Sequence, residues 1–279
     1  MNYQWYPGHM TKAKRMMEEN SKLIDLIIEL VDARVPLASR NPDIDTLGKG
    51  KARILLLNKA DLADPVLNKK WAAYFEEKGI HVLEVNSKTG SGVRNIQGLV
   101  QEACREKIER DKKRGIVNRP VRAMVVGIPN VGKSTFINSF TGRACTKTGN
   151  KPGVTKGKQW IRLNKGLELL DTPGILWPKF EDQEVGKKLA FIGSINDEIL
   201  PQEELACDLL EVLRERYPQA LEKRYELDFA DQNSREMLDR IARARKCYTR
   251  NEEPDLKKAA VLVLDDFRSG RMGRLTLEV

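Results

Sequence analysis

Gly127-Ile128-Pro129-Asn130-Val131-Gly132-Lys133-Ser134-Thr135 is the stretch that decides the fold. The apolar run Val121-Arg122-Ala123-Met124-Val125-Val126 precedes it and predicts a buried strand, and Phe136-Ile137-Asn138-Ser139-Phe140 after it predicts the start of a helix. Strand, glycine-bounded loop, Lys-Ser and helix together make a phosphate-cradling P-loop. Backbone N–H groups of such a loop and of the helix N-terminus point at phosphate oxygens. Gly127 and Gly132 let the backbone come close without a Cβ. Asn130, Val131, Gly132, Lys133, Ser134 and Thr135 are thus the expected phosphate contacts. Lys133 is expected to reach the β- and γ-phosphates, and the Ser134 hydroxyl to ligate Mg²⁺.

The bulk properties bound what surrounds this loop. A chain of 279 residues allows one or two domains with a real core. Hydrophobic content of 41% and charged content of 32% suit a soluble globular protein. The net charge of +9 and pI of about 9.3 favour an anionic partner, nucleic acid or an acidic membrane face, although solubility alone also accounts for them. Cys104, Cys145, Cys207 and Cys247 are widely spaced with no CxxC, which predicts reduced thiols in a cytosolic protein and no zinc site. No apolar run nears 18 residues and the N-terminus has no apolar h-region, so neither a transmembrane helix nor a signal peptide is expected.

Apolar runs at 23–31, 53–57 and 81–85 predict three strands before the P-loop strand, although a short helix could mimic the first. Asp64-Pro65 predicts an N-cap and first helical residue. One helix is expected from Val93 to about Lys113, and Lys112-Lys113-Arg114-Gly115 is a basic connector that could be a solvated linker or a binding site. Residues 159–163 and 167–170 read as a hairpin turning at Asn164-Lys165-Gly166. Strands alternating with helices argue for an α/β fold, a mostly parallel sheet with helices on both faces. Strand signals stop near Pro178; helices are expected from Pro201, from the capping box of Asn233 and Glu236, and from about Pro254 to Phe267. The expected division is a nucleotide domain over 1–177 and an all-α domain over 178–279.

Asn58-Lys59-Ala60-Asp61, at the end of an apolar strand, selects the base. A carboxylate in the base plane accepts two hydrogen bonds from guanine's ring N–H and amine, donors that adenine lacks. Asp61 is that carboxylate; Asn58 supports the base from its other edge, and the Lys59 stem covers one face. Asn86, Ser87 and Lys88, ending the next strand, flank the guanine oxygen. Asp171-Thr172-Pro173-Gly174 closes the hairpin: Asp171 is expected to hold Mg²⁺ through water and the Gly174 amide to sense the γ-phosphate. Thr155 is expected to ligate Mg²⁺ when that phosphate is present.

The set resembles a GTPase whose motifs run in an unusual order, with Asn58–Asp61 and Asn86–Lys88 ahead of the P-loop, as a circular permutation produces. With Trp5-Tyr6-Pro7-Gly8-His9-Met10 and Asp32-Ala33-Arg34-Val35-Pro36 in front, the chain resembles the ribosome-biogenesis GTPase A family over essentially its whole length. The resemblance implies a circularly permuted P-loop GTPase domain with a helical, RNA-binding tail. It also implies a cytoplasmic factor for late assembly of the large (50S) ribosomal subunit. GTP/GDP and Mg²⁺ are the expected cofactors, with K⁺ as a further candidate. The subunit and its rRNA are the expected partners, without membrane or DNA, for a monomeric protein. A signalling switch with a protein partner and no RNA is the alternative.

Ile175 stands where Ras-like proteins carry a glutamine that orients the attacking water, and it cannot hydrogen-bond. His9, on a Pro-Gly segment that could fold over the site, is the candidate catalytic group. Asn130 resembles the asparagine that binds K⁺ in potassium-activated GTPases. The basic residues Arg235, Arg240, Arg243, Arg245 and Lys246, and the basic N-terminal helix, are candidate RNA contacts. The segment after Gly174 leads straight into the helical region, so γ-phosphate contacts are expected to bias its placement.

Overall fold

The computed structural model describes residues 8–116, 119–142, 144, 146, 159–177 and 182–279, with Gly8, His9 and Gln159 described for their backbone alone. The first helix, α1 (Gly8–Ser21), buries Met10, Ala13 and Met17, positions that helical spacing puts on one face. Next come β1 (Leu26–Asp32), the short α2 (Asp43–Leu47), β2 (Ala52–Asn58), α3 (Pro65–Glu76) and β3 (His81–Val85). Then α4 (Ile96–Ala103), α5 (Arg105–Lys113), β4 (Val121–Gly127), α6 (Lys133–Thr141), β5 (Gln159–Asn164) and β6 (Leu167–Asp171) complete the α/β part. Asp64 caps α3 as expected, accepting from the Val66 and Leu67 amides.

The six strands form one sheet in the order β3-β2-β1-β4-β6-β5, parallel except for β5. Every residue of β1 is buried, as a central parallel strand covered on both faces requires. The order sets β2 on one side of β1 and β4 on the other. Register then aligns their carboxyl ends: Asp32 pairs with Asn58, Leu30 with Gly127, and Asn58 with Val85. On the far side Val125 pairs with Asp171. All the motifs read from the sequence at strand ends therefore emerge along one edge of the sheet, where open α/β sheets bind ligands.

The rest of the described chain is helical: α7 (Gln183–Phe191), α8 (Gln202–Arg216), α9 (Pro218–Tyr225), α10 (Ser234–Ala244) and α11 (Leu256–Arg268). Leu205, Leu209 and Leu213 of α8, Met237 and Ile241 of α10, and Val263 and Phe267 of α11 are fully buried and join the same apolar core as the sheet. Asn233 and Glu236 make both bonds of the capping box. No described helix is long and apolar enough to cross a membrane, and Cys104, Cys207 and Cys247 are free thiols.

Arg34 joins the helical region to the sheet. It is fully buried, pairs with both oxygens of Asp32 at 2.8 Å, donates to the Phe267 and Arg268 carbonyls, and lies over the Phe267 ring. The chain end returns to the same place. The Leu275 amide donates to Leu62 O, the Leu277 amide donates to Arg34 O, and the Glu278 carboxylate accepts from the Leu37 and Ala38 amides.

Several sequence expectations shift. The first strand starts at Leu26, because Leu23 and Ile24 close turns onto the Asn20 and Ser21 carbonyls. The single helix expected over 93–113 is a 3-10 turn (Val93–Asn95) plus α4 and α5, broken at buried Cys104. The break brings Lys107 to Asp25 at the foot of β1, at 3.3 Å. The last helix begins at Leu256 rather than near Pro254, and α2, α7 and α9 carry no signal that the sequence made legible.

Burial alone would raise the Asp32 carboxyl, but Arg34 and Lys59 beside it hold it well below the usual carboxylate range. Its ion pairs therefore stabilise the fold fully above the ordinary carboxylate pKa and are lost only as pH falls well below it. Arg34→Met should cost about 3–5 kcal/mol in urea unfolding, because it takes both Arg34 hydrogen bonds from a buried carboxylate that Lys59 alone then compensates; a cost under ~1 kcal/mol would contradict this account of the interface.

Candidate nucleotide-binding site

Asn58 unites the site. Its side chain is buried at the end of β2, with the amide nitrogen donating to Val131 O of the P-loop at 2.8 Å. Its carbonyl oxygen accepts from the Ser87 hydroxyl at 2.7 Å and the Ser87 amide at 3.1 Å. Three loops, distant in sequence, thus meet on one side chain. Gly132, at φ +101°, lies so close that an added Cβ would sit 2.5 Å from the Asn58 amide nitrogen. Only glycine satisfies both the backbone angle and the close approach.

Beside this brace Lys59, itself at φ 58°, stretches its ammonium to Asp32 at 2.9 Å and to Asn130 O at 3.1 Å. Burial lowers its pKa against the opposing pull of Asp32. Its stem therefore runs from the base loop to the P-loop. Asp61 follows in a turn of 3-10 helix with an exposed side chain, on the open side of the loop. Asn86 folds into an Asx turn, accepting from the Lys88 and Thr89 amides, and Lys88 is exposed next to it.

Lys133, Ser134 and Thr135 form the first turn of α6, where backbone N–H groups face the loop. Lys133 is buried, and burial lowers its pKa against the pull of Asp171. Asp171 is 1% exposed and neither carboxylate oxygen has a hydrogen-bond partner among the described residues. Burial pushes its carboxyl up. Lys133 and the Thr172 backbone offset part of that cost, and a buried carboxylate whose oxygens accept no well-formed hydrogen bond still calls for a cation to complete it. The Asp171 carboxylate and the Ser134 hydroxyl are hard oxygen donors, the ligand chemistry that Mg²⁺ takes while keeping several of its waters. Gly174 brings the following turn against the P-loop: an added Cβ would meet the Pro129 nitrogen at 2.9 Å.

The candidates for ordering water differ. Ile175 is 1% exposed and packed away, in line with its inability to hydrogen-bond. His9 is the second residue of α1 and not part of a loop, with its side chain outside the described residues. Its neighbour Met10 is buried with Sδ 3.5 Å from the Leu176 amide, so the start of α1 sits beside the chain leaving Gly174. Thr155 lies outside the described residues.

Two contacts went unforeseen. The Asn130 side-chain Nδ2 donates to Gly193 O at 2.7 Å, and the Ser194 hydroxyl donates to Pro129 O at 2.8 Å, so the P-loop touches the turn after α7. Asp32 and Arg34 also had a signal, two charges closing a mostly apolar run interrupted by Glu29, that pointed to a buried pair rather than a loop.

Residues 122–243 match the family model described as 50S ribosome-binding GTPase. The chain is 47% identical to the ribosome biogenesis GTPase A of Bacillus cereus, with 100% of this chain and 94% of that one covered. It is 31% identical to the protein of the same name from Thermotoga maritima, with 98% and 93% covered. Among solved structures it is similar to GNP-bound YlqF from T. maritima, at TM-score 0.66 and 28% identity over 96% of this chain and 97% of that one. A GDP-bound YlqF structure aligns at TM-score 0.70 and 26% identity over 95% and 98%.

If Asp171 holds the metal through water, Asp171→Asn should lower Mg²⁺-dependent nucleotide hydrolysis about 10–100-fold, as loss of an outer-sphere metal partner does elsewhere. An unchanged Mg²⁺ titration in that variant would show that the orphaned carboxylate serves something else.

Proposed function

The chain belongs to the ribosome biogenesis GTPase A family, and from that premise we propose that it turns over GTP on the large ribosomal subunit, in contact with rRNA, at a late step of maturation. It is a GTP-hydrolysing ribosome assembly factor; the subunit, the RNA contact, the timing, the cytoplasm and a monomeric state are the proposal's own. The observation that carries it is the Asn58 brace, which makes the base loop, the Ser87 loop and the P-loop one receptor for one nucleotide.

In this mechanism Asp61 accepts guanine's two N–H donors. Asn58 uses one amide N–H on Val131, and the second is left for the base, since a carboxamide carries two. Asn86, Ser87 and Lys88 flank the guanine oxygen, and Lys59 lies along the base. The P-loop amides from Asn130 to Thr135, with Lys133, cradle the phosphates. Ser134 and Thr155 directly, and Asp171 through water, would hold Mg²⁺, which would supply positive charge at the phosphates. Asn130 would be the residue beside a K⁺, whose charge would take the place of an arginine finger's. The Gly174 amide meets the γ-phosphate, and His9, at the start of the helix packed on Leu176, orders the attacking water. The P-loop bonds to Gly193 and Ser194 support a readout of nucleotide state by the helical region.

Sucrose-gradient sedimentation with a non-hydrolysable GTP analogue tests this directly. Co-migration with the large subunit in the analogue, weakened by GDP and by salt, is expected. Migration as a free protein in both states would favour a switch that acts through a protein partner. In the same preparation His9→Ala should still co-migrate while hydrolysis falls about 100-fold; full turnover would remove His9 from the mechanism. Equal rates in KCl and NaCl at matched ionic strength would remove K⁺.

A further inference from the structure

The positive charge of this chain is unevenly placed. Residues 178–279 hold 18 of the 49 Lys and Arg and 22 of the 40 Asp and Glu, a net −4, which leaves +13 on residues 1–177. The basic helix expected to meet RNA, α10, is also largely occupied. Arg240 donates to Asp228 O and lies over Phe229, Arg243 pairs with Asp239, and Arg245 donates to Arg224 O and lies over Tyr225.

The sheet edge offers something different. From Gln159 to Lys165 the strand and its turn carry Arg162 and Lys165 and no Asp or Glu. Among the described residues β5 is the last strand of the sheet, paired on one side only. Its alternation puts Trp160 and Arg162 on one face, about 7 Å apart along the strand, while Ile161 turns into the core. Trp160 is 38% exposed, an unusual position for the largest apolar side chain. The Arg122 guanidinium, from β4 across β6, lies 5.4 Å from the Trp160 ring centroid. Arg122 also pairs with Glu168, the one acidic residue in the group, which faces Arg162 across the strands. Beyond Arg162 the exposed Lys165 sits in the hairpin turn, and a shallow cavity of about 600 Å³ is lined by Thr141, Arg162, Leu163, Asn164 and Lys165.

We propose that this edge is a contact for single-stranded RNA, with an unpaired base stacked on Trp160 and the adjoining phosphates on Arg162 and Lys165. An exposed indole beside cations is the pairing that single-strand binders use: the ring accepts any base face, and the cations track the backbone. An exposed ring suits a splayed strand better than a duplex, whose bases are already stacked. The inference rests on the rRNA reading above and names the surface that serves it. Trp160 pairs with Leu170, next to Asp171, while Arg162 and Lys165 lead from there toward the hairpin turn, so an RNA strand would run from beside Asp171 away from the nucleotide contacts.

Fluorescence anisotropy with a labelled ~12-nucleotide oligoriboadenylate, on the full chain with GTP analogue, tests it. Trp160→Ala should weaken binding about 10-fold or more, the loss of one stacked base, and Trp160→Phe should restore most of it. Lys165→Glu, on an exposed turn where folding is not at stake, should lower the slope of log affinity against log salt by about 0.7 for each phosphate no longer neutralised. Basal GTP hydrolysis should be unchanged in all three. Wild-type affinity and salt slope in Trp160→Ala and Lys165→Glu would overturn this surface while leaving the rRNA reading intact. Absence of RNA binding by the wild-type chain would overturn both.

Discussion

The hydrogen bonds of one buried asparagine hold the site together. Asn58 ends β2, touches Val131 of the P-loop with its amide nitrogen and Ser87 with its oxygen, and leaves no room for a Cβ on Gly132. Chain order is irrelevant to this arrangement. What it needs is that β1 sit between β2 and β4 with their carboxyl ends level, and the parallel register supplies that. A motif order rearranged relative to Ras-like proteins therefore costs the site nothing.

What the rearrangement changes is where the loops lead. The segment after Gly174 runs into the helical region instead of back into the sheet, and that region is fastened in two places. One is the P-loop itself, through Gly193 and Ser194. The other is Asp32–Arg34, whose ion pair joins the base loop's Lys59 to the α11 carbonyls and to the returning chain end. Both the phosphate side and the base side of the pocket are thereby wired to the same helices. A buried ion pair is a poor source of net stability but a specific one, since separating its members strands a charge.

Much of this was legible in sequence because it is local. Apolar runs, the Asp64-Pro65 cap, the Asn233 and Glu236 box and the glycine-bounded loop each carry their physics within a few residues. The elements that were missed depend on distant partners. Beyond the break at Cys104, Lys107 pairs with Asp25, a partner far away in sequence, and α9 begins at Pro218 directly after α8. Asn58 illustrates the limit at the site: its identity was readable, but its use as a brace between two loops required knowing that Val131 and Ser87 arrive at the same point. Charge too depends on context that the sequence does not show: the arginine-rich α10 sits in a helical region of net negative charge, Arg243 pairs with Asp239, and Arg245 donates to Arg224 O.

The central claim is that the loop bearing Asp61 and the loop bearing Lys133 hold opposite ends of one guanine nucleotide. Competition among GTP, ATP and XTP for the Asp61→Asn variant measures this most directly. Replacing the carboxylate with an amide should cost GTP about 10-fold or more in affinity, as loss of a charged hydrogen-bond pair does, and shift preference towards XTP. An unaltered preference for GTP over both competitors would contradict the account.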